Sequence, residues 1–78
     1  MKDTQVESEI CTIVSAVLGK SADLSTSKTS EPLWDSLKHM EIIFAVESKW
    51  GVAFSEEEMG SIQSVAQLLQ RLRLKNAA

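Results

Sequence analysis

The stretch Leu33-Trp34-Asp35-Ser36-Leu37-Lys38-His39-Met40-Glu41-Ile42-Ile43 decides how the chain is organised. Asp35 is a strong N-cap residue, because a short carboxylate can accept the orphan backbone N–H groups of the turn that follows. After it, Leu37, Met40, Ile42, Ile43, Phe44, Ala45, Val46 and Trp50 recur at helical spacing, and Gly51 supplies a terminator. A helix over 36–50 is expected. It is too apolar to hide completely in a small helical domain, so Ile42, Val46 and Trp50 are read as its inward stripe. Leu37 and Phe44 are expected to stay partly exposed, and Met40 and Ile43 to touch the core.

The same logic extends outward. Val6, Ile10, Ile13, Val14, Val17 and Leu18 make one helical stripe, with Thr4 and Glu7 as a capping box and Gly19 as the stop. Residues 20–32 are rich in Ser, Thr, Asp and Lys and read as a long loop, pinned to the core by Leu24 and Leu33. Downstream, Ser55-Glu56-Glu57-Glu58 is a second capping box with its acids at the positive end of the helix dipole. It opens a short helix that Gly60 ends. A last helix begins at Ser64, with Gln67 in the reciprocal capping position and Val65, Leu68, Leu69 and Leu72 facing inward. Arg71, Arg73 and Lys75 crowd its C-terminal end, and the final residues are expected to fray. With 3 glycines, 1 proline and no alternating run, no strand is expected. The fold class is therefore all-α: three longer helices, one short helix and a long first loop, in one domain over residues 1–78.

Composition removes several functions. A net charge of −3 argues against a nucleic-acid binder, which needs a basic stripe to neutralise phosphates. No apolar run approaches the length of a membrane span, and the start of the chain lacks an apolar signal core. The single cysteine, Cys11, allows no internal disulfide and reads as a core residue. A cytoplasmic monomer is expected. One Cys and one His provide no structural metal set. Ser36 and His39 stand three apart on one helix, but a hydrolase would also need an orienting acid, an oxyanion hole and a cleft. His39 is read instead as a surface residue or a local tuner of partner contacts. No catalytic residue is expected, and the chain reads as a non-enzyme.

The positions Asp35, Ser36, Leu37 and Glu41 resemble the acyl carrier protein family, including its peptidyl and aminoacyl carrier domains. That family carries an Asp-Ser-Leu triplet at the start of its second helix and a Glu five residues beyond the serine. Ala45-Val46-Glu47, Trp50, Gly51-Val52, Glu56-Glu57-Glu58 and Ile62-Gln63-Ser64-Val65 fall in a family-like register, so the resemblance covers nearly the whole chain. It implies a four-helix bundle of the acyl-carrier type. It implies that Ser36 bears a 4'-phosphopantetheine arm taken from coenzyme A, whose thiol holds an acyl or aminoacyl group as a thioester.

The implied partners are a phosphopantetheinyl transferase, an acyl- or aminoacyl-loading ligase and a downstream transferase or synthase. Leu37, Met40, Glu41 and Phe44 would dock them, with Glu47 as a further acidic contact. Asp35 would help the transferase position its metal ion. Fatty-acid carriers usually show a glycine-containing approach and a strongly acidic second helix. Here Pro32-Leu33-Trp34 precedes the site, and Lys38, His39 and Lys49 dilute the acids. A specialised pathway (polyketide, nonribosomal peptide, aminoacyl or surface-glycan) fits better than bulk fatty-acid synthesis. The competing reading is an unmodified helical interaction module sharing the fold.

Overall fold

The computed structural model describes residues 2–76, with side chains described for 5–75. It contains four helices: α1 (Lys2–Leu18), α2 (Ser36–Trp50), α3 (Glu56–Ser61) and α4 (Val65–Asn76). The described residues hold no strand, only an isolated antiparallel bridge between Ser27 and Ser64. α1 packs against both α2 and α4. No described helix is long and apolar enough to cross a membrane.

The core follows the helical stripes. Ile10, Val14 and Leu18 of α1 meet Ile42, Ile43 and Val46 of α2 and Val65, Leu68, Leu69 and Leu72 of α4. Val6, Ile13, Val17, Cys11 and Trp50 pack around this cluster, half-buried. α3 contributes no buried residue, but its Met59 packs half-buried against the core, and Phe54 and Ile62 on either side of the helix are buried.

The helix ends are where side-chain chemistry acts most directly. Gly19 and Gly51 adopt left-handed φ values of 72° and 65°, a region where a Cβ is strained. Their N–H groups close onto Ser15 and Glu47. The Ser55–Glu58 capping box forms in both directions. Three ends differ from expectation. α1 begins at Lys2, so Thr4 lies inside the helix; its capping side chain lies outside the described residues. α3 continues one residue past Gly60 and is capped at Ile62. At α4, Ser64 Oγ accepts from the Gln67 N–H as expected. The Gln67 side chain, however, accepts from Gln63 (2.6 Å), one residue further out than a reciprocal box requires. Ala77 and Ala78, read as fraying, lie outside the described residues.

The long loop is held differently from expectation. Leu24 and Leu33 are 38% and 48% exposed and pin nothing. Trp34 is the anchor, 3% exposed in the core. Backbone bonds do the rest. Lys28 N–H donates to the Gln63 carbonyl (2.9 Å), and Val65 N–H donates to the Thr26 carbonyl (3.0 Å). A polar segment that cannot bury side chains is held by its main chain.

Glu31 is buried, yet it accepts from the Leu33 N–H (3.1 Å) and pairs with Lys20 (3.1 Å). Those contacts, the Leu33 N–H first, hold its carboxyl below the ordinary value of 4.5. Glu58 is held down in the same way, by the Ser55 N–H first and then Lys75. A carboxylate depressed in the folded state contributes stability above its unfolded value, and that contribution is lost as pH falls through the folded value. The urea midpoint is therefore expected to be flat from neutral pH to about pH 5 and to fall below about pH 4.5. Glu31→Gln should reduce that acid slope, and an unchanged slope would show that Glu31 plays no part in it.

Candidate functional site

The approach to Ser36 is a series of tight turns. Glu31 N–H donates to the Ser27 carbonyl, Trp34 N–H to the Glu31 carbonyl and Asp35 N–H to the Leu33 carbonyl, all within 2.9–3.1 Å. Buried Trp34 and these turns together set the path of the chain into α2. Asp35 then adopts extended backbone angles (φ −94°, ψ −172°), and its carboxylate accepts from the Lys38 N–H at 2.9 Å. This is the expected N-cap. Losing it should cost about 1 kcal/mol, so Asp35→Ala is expected to lower the thermal midpoint by about 4–8 °C. Asp35→Ser, which restores an acceptor, should recover most of that loss. Equal midpoints for Asp35→Ala and wild type in calorimetry would refute the capping role.

Ser36 is the first residue of α2 and is exposed. Its hydroxyl has no hydrogen-bond partner among the described residues. At 3.6 residues per turn the expected site residues divide into two adjacent rows. Ser36 and Met40 share one row and line an open cleft of about 350 Å³, together with Lys28, His39, Glu56 and Met59. Leu37, Glu41 and Phe44 share the other row and point to solvent, with Leu37 66% and Phe44 53% exposed. The expected docking residues thus do not form one surface: Met40 belongs to the cleft, half-buried, and the other three to an outer face. On that outer face Lys38 stands 3.9 Å from Glu41, a lone exposed pair that mixes the charge there. Glu47 is not available as an acidic contact in the way expected. Its carboxylate accepts from the Phe54 N–H at 2.8 Å and ties the end of α2 to the following loop.

The largest departure from expectation is His39, which is not a surface residue. It is 7% exposed and sits between two partners. Trp34 Nε1–H donates to its Nδ1 at 3.0 Å, and its Nε2 lies 2.8 Å from the Met59 carbonyl oxygen. An indole nitrogen can only donate and a carbonyl can only accept, so the contacts select the neutral tautomer with hydrogen on Nε2. The bridge joins the loop, the first turn of α2 and α3 behind the cleft. It also engages both ring nitrogens, so His39 is not placed to act as a base toward Ser36. Sequence pattern missed it because helix periodicity relates residues on one helix, whereas Trp34 precedes the cap and Met59 lies twenty positions on.

No family model, curated protein or solved structure matches this chain.

The remaining chemistry is sparse. Cys11 lines a separate depression with Glu7 and Asp23 on the α1 side. Burial first, then the charges of Asp23 and Glu7, pushes its thiol above the ordinary value of 9.0, away from the thiolate a nucleophile needs. Among the described residues no cluster of three His, Cys, Asp or Glu side chains is placed to hold a metal ion. What the arrangement offers is one unengaged hydroxyl at a helix start, beside an open cleft walled by Met40 and Met59, with two apolar side chains standing free on the next row.

Proposed function

We propose that this chain is an acyl carrier protein, a single-domain bundle of the acyl-carrier type that carries 4'-phosphopantetheine on Ser36. The observation that carries the reading is the placement of Ser36: exposed, without a hydrogen-bond partner among the described residues, and set by the Asp35 cap at the first turn of α2. A modifying enzyme needs access to that oxygen, and the residue that bears it is exposed. The Ser36 oxygen would take the phosphopantetheinyl group from coenzyme A, losing its proton as adenosine 3',5'-bisphosphate leaves. A phosphodiester there would sit at the N-terminal end of α2, where the helix dipole favours negative charge by about 0.3–1 kcal/mol. The arm supplies a thiol on which the cargo is held as a thioester, and bond-making on that cargo belongs to partner enzymes.

The outer row supports docking by a partner. Leu37 and Phe44 are large apolar side chains with no role in the core, and Glu41 lies between them. Because Lys38 pairs with Glu41, this face is less acidic than a general fatty-acid carrier's would be. It suits a dedicated partner, such as a loading ligase or a downstream transferase of a specialised pathway. The carrier is read as a cytoplasmic monomer.

The test is direct. Purified protein treated with coenzyme A and a broad-specificity phosphopantetheinyl transferase should gain one phosphopantetheinyl group by intact mass, mapped to the peptide containing Ser36. A protein that remains unmodified while a known carrier in the same tube is fully converted would instead be the unmodified interaction module.

A further inference from the structure

Lys28 differs from the other lysines whose side chains are described. Lys20, Lys38, Lys49 and Lys75 stand 3.1, 3.9, 3.8 and 2.9 Å from a carboxylate. Lys28 has no carboxylate partner among the described residues. Its main chain is nevertheless firmly placed, through its own N–H on the Gln63 carbonyl and the neighbouring bridge of Ser27 to Ser64. The start of α4 therefore fixes where this side chain leaves the loop. Lys28 lines the same cleft as Ser36. Lys28 is half-buried, which suits a side chain whose apolar stem lies against protein and whose charged end stays hydrated. Glu56 lines the same cleft but is not within ion-pair distance of Lys28, and it would repel an incoming anion.

We infer that Lys28 is the cation that holds a phosphodiester on Ser36, an inference that rests on the carrier reading above. Lys28 and Ser36 line one cleft, neither side chain has a partner among the described residues, and the group expected on the Ser36 hydroxyl is an anion. The pair offsets the repulsion from Glu56. It also keeps the first atoms of the arm over the cleft instead of over the Leu37–Phe44 face, so docking and arm position remain separate. Lys28 is a positioning residue here, and its side chain makes no bond that the apo fold needs.

Lysine acetylation rates separate the outcomes. Protein is prepared with and without the arm, each state is verified by intact mass, and both are pulsed with N-hydroxysuccinimidyl acetate. At about 10 mM salt, where screening is weak, Lys28 should label about two- to five-fold more slowly in the loaded form, the range of an exposed ion pair. Near 1 M salt the difference should vanish. Lys49, at the far end of α2, should label equally in both forms. In the loaded protein Lys28→Gln should shift the phosphorus-31 resonance of the arm, and Lys28→Arg should leave it near the wild-type position. Equal Lys28 labelling in the two forms overturns the inference, as does protection that survives 1 M salt, which would mean steric cover by the arm. Failure of the arm to attach at all brings down the carrier reading itself, and intact mass distinguishes that result from the other two.

Discussion

His39→Ala is expected to lower the unfolding free energy by about 2–4 kcal/mol, the largest stability effect of any polar substitution near the site. The substitution leaves the Trp34 indole N–H without its acceptor in a pocket where Trp34 is almost wholly buried. A buried donor left unpaired costs about 1–3 kcal/mol. The Met59 carbonyl suffers less, since it also accepts from the Ile62 N–H at 3.3 Å. The missing ring adds a cavity term. A domain of 78 residues has about 4–12 kcal/mol in total, so the thermal midpoint should fall by roughly 10 °C or more. Trp34→Phe removes the donor while keeping most of the apolar bulk and should cost less. In the double variant Trp34→Phe with His39→Ala the penalties should not add, with a coupling of about 0.5–3 kcal/mol. Additive losses in urea unfolding would mean that the indole–imidazole bond contributes nothing.

The same residue shows where sequence reading stops. Helix boundaries were legible wherever one short side chain sets them. Asp35, Ser55 and Gly51 cap or end helices by contacts within three or four residues, and each does so in the structure. The inward stripe of α4 was legible because Val65, Leu68, Leu69 and Leu72 repeat at the helical period. The loop was not. Leu24 and Leu33 are apolar but lie exposed in turns, and buried Trp34 with main-chain bonds to Gln63 and Val65 holds the loop instead, while buried Glu31 ties down the Leu33 N–H. Polar burial depends on partners brought together by the fold, and no spacing along the chain announces them. Ser36 was legible as a candidate through the resemblance that Asp35, Ser36, Leu37 and Glu41 carry. Its cleft was not, because Lys28 and Met59 reach it from the loop and from α3.

Ser36→Ala should abolish arm attachment completely while changing stability by no more than about 0.5 kcal/mol. The hydroxyl is exposed and has no partner among the described residues, so its removal orphans nothing. Alanine is also the better helix former, which offsets any small loss at the first turn. The prediction is sharpened by two other serines at helix starts. Ser55 Oγ accepts from the Glu58 N–H and Ser64 Oγ from the Gln67 N–H, each at 3.1 Å. Both oxygens are drawn into capping, so an enzyme attacking there would have to dismantle the cap first, at about 1 kcal/mol. Ser36 stands one residue inside its helix because Asp35 has already taken the capping role. That division of labour leaves its oxygen accessible without cost to the helix. Intact mass and a thermal melt on the same sample decide the matter: an adduct on Ser36→Ala moves the site to another hydroxyl, and a melt several degrees lower would show that the Ser36 hydroxyl is structural after all.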